Sequence, residues 1–65
     1  MGTRRYSCVI VRGGFGGRYS EEFEFESVHR AGSKANAEDA LGQWRRKHGK
    51  SGWAEVVRGT ARKIG

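Results

Sequence analysis

Proline is absent from the sequence and cysteine occurs once, at position 8. Without proline, every turn depends on the conformational freedom of glycine, of which there are 11, rather than on a fixed φ. A lone Cys8 excludes an internal disulfide and suits a reducing compartment. No apolar run approaches the length of a membrane helix. Arg4 and Arg5 precede the short apolar run 8–11, but that run is too brief for a signal-peptide core and no cleavage site follows it. The expected location is therefore cytoplasmic, with no membrane partner. Catalytic groupings are missing as well. Cys8, His29 and His48 lack the close-spaced pairs of a structural zinc site, and no spacing joins a nucleophile, a base and an orienting group. These absences argue against an enzyme and against a bound metal or cofactor.

Acidic residues are also scarce, and they are clustered. Seven Asp and Glu stand against thirteen Lys and Arg, for a net charge of +6. Four of the seven acids, Glu21, Glu22, Glu24 and Glu26, lie within six residues, so the rest of the chain carries a charge of +10. Basic surface on that scale attracts polyanions. At 65 residues the chain makes one domain at most, with a small core that is marginally stable alone; it is expected as a monomer or as a homodimer, which would help its stability.

The organising stretch runs from Gly32 to Gly49. Ser33 is placed to cap a helix over about 34–48, and Gly49 sits where a left-handed C-terminal residue is wanted. Glu38 and Asp39 lie early, whereas Arg45, Arg46, Lys47 and His48 lie late, as the helix dipole favours. Ala37, Ala40, Leu41 and Trp44 follow helical spacing and mark the buried face. Gly42 is the misfit, either a tolerated defect or a point of close approach for a partner backbone.

Strands are expected at about 5–12, 19–29 and 53–61. In the first, Tyr6, Cys8 and Ile10 alternate with Ser7, Val9 and Val11, so both faces carry apolar residues and the strand belongs in the sheet centre. In the second, Phe23 and Phe25 alternate with glutamates, a period of two with one face buried. The five residues 13–17 between them, four of them glycine, predict a hairpin loop longer than a two-residue turn. Because this glycine-rich loop joins two strands rather than opening a helix, it does not meet the requirements of a phosphate cradle. The fold class that follows is α+β: a ββαβ chain forming a three-stranded antiparallel sheet of order 2-1-3, with one helix packed on one face.

Two resemblances accompany this reading. The order from Tyr6 through Phe23-Glu24-Phe25-Glu26 to Gly32-Ser33-Lys34-Ala35 and Ala37-Glu38 resembles the strand-to-helix portion of double-stranded-RNA-binding domains, whose helix opens with a Ser-Lys-Lys-type cluster that grips phosphate; here Ala35 stands in place of the second Lys. The broader pattern, Phe23-Glu24-Phe25-Glu26-Ser27 followed by Ser33-Lys34-Ala35-Asn36-Ala37-Glu38-Asp39-Ala40, is similar to small strand-strand-helix-strand proteins of bacteriophages and mobile elements. That likeness implies binding to DNA or to a host protein.

The leading expectation is a non-enzymatic module that binds DNA or RNA through phosphates with little sequence selectivity. Arg45, Arg46, Lys47, Lys50, Arg58, Arg62 and Lys63 are its candidate contacts, since basic residues interleaved with aromatics compose nucleic-acid surfaces. The alternative is a protein that binds and modulates a host protein. It would use the open sheet face, a sheet edge or Phe15 at the tip of the glycine loop.

Overall fold

The computed structural model describes residues 2–14, 16–49 and 52–65. Its elements run β1 (Arg4–Gly14), β2 (Gly17–Ser27), α1 (Lys34–His48), β3 (Ala54–Val56) and β4 (Arg62–Lys63). The strands form one antiparallel sheet of order β2-β1-β3, with β4 also paired to β1, and the helix lies across one face. This is the α+β, ββαβ arrangement that the residue pattern implies.

β1 is central because it can bury both of its edges. β2 pairs with it continuously from Arg4↔Ser27 to Gly14↔Gly17. The ladder therefore takes in Gly13, Gly14 and Gly17, which the sequence places in a five-residue loop. Gly13 and Gly14 extend the ladder instead of forming the turn.

The other edge of β1 is filled in two pieces. A single third strand over 53–61 is not what forms: β3 covers Ala54–Val56, the chain then swings out, and β4 resumes pairing at Arg62 and Lys63. The cause is the Arg58-Gly59 turn, where Gly59 adopts φ 82°, a conformation that L side chains resist. The Thr60 hydroxyl bridges the gap. It accepts the Val9 N–H at 3.0 Å and donates to the Val57 carbonyl at 2.7 Å, so the central strand keeps its hydrogen bond where the partner strand is interrupted.

The period of two places Tyr6, Cys8 and Ile10 on the helix side of β1, opposite Phe25, Phe23 and Glu21. With Ala40, Trp44 and Ala54 these apolar side chains form the core. Tyr6 stacks on Phe25 at 5.6 Å between centroids, and Phe23 lies nearly parallel to Phe25 at 6.5 Å. Trp44 is 2% exposed and donates its Nε1–H to Glu21 Oε1 at 3.1 Å. Ala37 and Leu41, expected beneath the helix, are only partly covered. The helix is rotated so that Asn36 is fully buried instead.

Both helix ends are capped as their residues suggest. Ser33 Oγ accepts the Asn36 N–H at 3.1 Å, and Gly49 takes the left-handed conformation with its N–H on the Arg45 carbonyl at 2.8 Å. Asp39 reaches the sheet, accepting the Ser27 hydroxyl at 2.7 Å, while Ser27 Oγ accepts the His29 N–H at 3.0 Å and ends β2 at that point. Gln43 ties the helix to the outer edge of β2. Its Oε1 accepts the Glu26 N–H at 3.1 Å, and its Nε2 donates to the Glu26 carbonyl. One side-chain amide thus fills the rung that a further strand would occupy.

Candidate functional site

The seven basic residues singled out in the sequence are distributed over separate places. Arg45, Arg46 and Lys47 form the last turn of α1, where the Lys47 ammonium sits 5.9 Å from the Phe23 ring centroid. Arg58 lies in the turn between β3 and β4. Arg62 and Lys63 are neighbours on a strand and so point to opposite faces. Lys50 and Phe15 lie outside the described residues. A 15-residue helix is about 22 Å long, so the run at its C-terminus and Arg58 beside its N-terminus do not share one binding patch.

A different basic grouping emerges at the start of α1. Two shallow depressions, each about 330 Å³, flank the segment that enters the helix. The first is walled by the helix N-terminus and by the turn after β3, and it carries Lys34 and Arg58. The second is lined by Arg4, Tyr6, Val28, Arg30, Ala31 and Lys63. No carboxylate lines either one among the described residues. Five cations from four separate parts of the chain thus converge on the positive end of the helix dipole. Among the described residues none of the five makes an ion pair.

Asn36 lines the first depression from below. Its Nδ2 donates to the His29 carbonyl at 3.0 Å, while its buried Oδ1 has no partner among the described residues. One hint of this is visible in the chain itself: a polar residue at the third helical position that is neither the Glu nor the Gln of a capping box.

The glutamates of β2 are each engaged. Glu22 faces Arg62 at 3.8 Å, Glu24 faces Arg5 at 4.0 Å, and Glu21 faces Arg12 at 3.8 Å in addition to the Trp44 indole. Glu26 accepts the Thr3 hydroxyl at 2.7 Å. Exposed pairs of this kind add little stability, about 0–1 kcal/mol each, but they cancel charge locally. The strand that reads as an acidic stripe is therefore largely offset by arginines of β1 and β4.

Cys8 is 1% exposed, and burial pushes its thiol from an ordinary 9.0 up to about 11. That disfavours the thiolate, which is the reactive form. Among the described residues no three His, Cys, Asp or Glu side chains come together as a metal site, and no helix is long and apolar enough to cross a membrane. No family model, curated protein or solved structure matches the chain.

Proposed function

We propose that this protein binds nucleic acid through backbone phosphates, using the end of the molecule where Arg4, Arg30, Lys34, Arg58 and Lys63 surround the start of α1. The observation that carries this reading is the asymmetry of pairing. Three of the four glutamates of β2 face an arginine and the fourth a threonine hydroxyl, while these five cations have no carboxylate partner among the described residues. Such a cluster would displace the counterions condensed on the phosphates, and the N-terminal backbone N–H groups of α1 add a dipole of the same sign. Arg45, Arg46 and Lys47 supply a second patch at the other end of the helix. Phosphate contacts fix position and carry no base information, so selectivity for sequence is expected to be weak.

The test is fluorescence anisotropy with labelled single strands and duplexes across a salt series. Replacing Arg30, Lys34 and Arg58 together by Gln should weaken binding to unrelated sequences by similar factors. It should also flatten the log–log salt slope by about two units on single strands, at roughly 0.7 for each phosphate no longer neutralised. Absence of binding at low salt to every nucleic acid would refute the reading. A protein partner is the second reading. It is favoured by the outer edge of β2, where Gln43 occupies the Glu26 rung and no strand pairs along the rest among the described residues.

A further inference from the structure

We propose that the hairpin end of the sheet, opposite the basic end, is a stacking site for unpaired bases of a single-stranded nucleic acid, centred on Trp53 with Arg18 beside it. This rests on the nucleic-acid reading above and narrows it to a strand type.

Two of the large apolar side chains that remain exposed lie at this end: Trp53 is 48% exposed and Tyr19 47%. Each carries a guanidinium over its ring. Arg18 Cζ lies 5.4 Å from the Trp53 ring centroid, and Arg12 Cζ lies 5.1 Å from that of Tyr19. The pleat separates the two pairs. Arg12 faces Tyr19 across the hairpin on the helix side of the sheet, whereas Arg18 faces Gly13 on the other side. Trp53 joins Arg18 on that open face, its carbonyl accepting the Gly13 N–H at 3.1 Å.

Gly14 explains how the Tyr19 ring comes to lie there. A Cβ at Gly14 would fall 2.4 Å from Tyr19 Cε2, and one at Gly13 would fall 3.8 Å from Trp53 Cε3. Only Gly14 is required to be bare by the ring beside it; the Gly13 distance is an ordinary van der Waals contact that a side chain would tolerate. A half-exposed indole with a guanidinium over one face presents a π surface together with a phosphate-seeking cation. Every base has a π face to offer such a surface, so stacking is tolerant of sequence. Bases in a duplex are already stacked on each other and cannot reach it. Glu55, two residues from Trp53 along the same strand face, disfavours a phosphate at that point and leaves the ring of a base as the preferred occupant.

The experiment uses the intact chain, whose two tryptophans report separately. Trp44 is buried, and Trp53 supplies the solvent-exposed emission. A dT20 single strand and a 20-base-pair duplex are titrated at one salt concentration, followed by tryptophan emission and by anisotropy. The single strand should quench the exposed emission and bind more tightly than the duplex does. Trp53→Leu should abolish the quenching and weaken single-strand binding by roughly five- to 150-fold, the range expected for one stacked base, with duplex affinity unchanged. Trp53→Phe keeps a ring and should retain most of the affinity, which separates stacking from a structural role and serves if the leucine variant does not fold. Unchanged single-strand affinity in Trp53→Leu, unquenched emission in the parent at saturation, or a preference for duplex would overturn the stacking site and leave phosphate binding standing. Absence of salt-dependent binding to either probe would overturn both.

Discussion

Trp44→Ala is the perturbation that tests the core most directly. The indole is 2% exposed, spans the gap between α1 and the sheet, touches His48 at 5.4 Å between ring centroids, and donates to Glu21 at 3.1 Å. Truncating a buried aromatic of this size costs about 3–5 kcal/mol, through the transfer energy removed and the cavity left behind. The hydrogen bond accounts for about 1 kcal/mol of that, because Glu21 keeps Arg12 at 3.8 Å and retains access to water. At roughly 0.05–0.15 kcal/mol per residue, a 65-residue domain has a total stability of about 3–10 kcal/mol, so the alanine variant should lose from about a third to all of it. Trp44→Phe keeps most of the apolar packing and should cost about 1–2 kcal/mol, lowering the midpoint by about 5–15 °C. Urea and thermal melts followed by circular dichroism at 222 nm measure both. If the alanine variant unfolds at the same urea midpoint and with the same slope as the parent, the helix does not pack on the sheet through this residue, and the core described above is wrong.

Two further predictions concern single positions. Cys8 should resist a thiol reagent in the folded protein at pH 8 and react promptly once unfolded. Because its thiol is raised from 9.0 to about 11, the fold holds its proton more tightly than the unfolded chain does; stability is therefore full below pH 9 and falls as the pH rises from 9 toward 11. A midpoint that does not fall over that range, compared with Cys8→Ala, would contradict this. Gly42 is exposed and a Cβ there meets nothing within 4 Å, so Gly42→Ala should stabilise the domain by about 0.5–1 kcal/mol in the same melts. A drop in stability would show that the helix needs the glycine for a reason other than space.

The fold can be read from local signals wherever local signals decide it. Tyr6, Cys8 and Ile10 against Phe23 and Phe25 specify which face of the hairpin is buried, and Ser33 and Gly49 specify where the helix starts and stops. Apolar residues on both faces of the first strand place it between two others. The third strand is harder to read, because its interruption depends on one glycine and on a hydroxyl that substitutes for a carbonyl 51 residues away in sequence. Helical periodicity counts only apolar residues and so passes over Asn36, whereas a buried amide is tolerated when its donor finds a carbonyl. The candidate site is the least legible part. Positions 4, 30, 34, 58 and 63 form no single run in the sequence, while the conspicuous run at 45–47 owes its place to the helix dipole as much as to any ligand. The charge of the glutamates is legible, but not the arginines that offset it.

The Thr60 hydroxyl also limits what this position can become over evolutionary time. It accepts from one backbone segment and donates to another at once, so only serine could replace it without leaving the Val9 N–H unsatisfied at the centre of the sheet. Valine would match its shape and fail on chemistry. Gly59 before it is held by its backbone angle, and Gly14 by the ring of Tyr19. Divergent descendants of this chain should therefore keep a glycine followed by a hydroxyl residue at 59–60, together with a glycine at 14, long after their surface lysines and arginines have drifted. That sparse signature, spaced by the fold rather than by any local motif, is what would mark a distant relative.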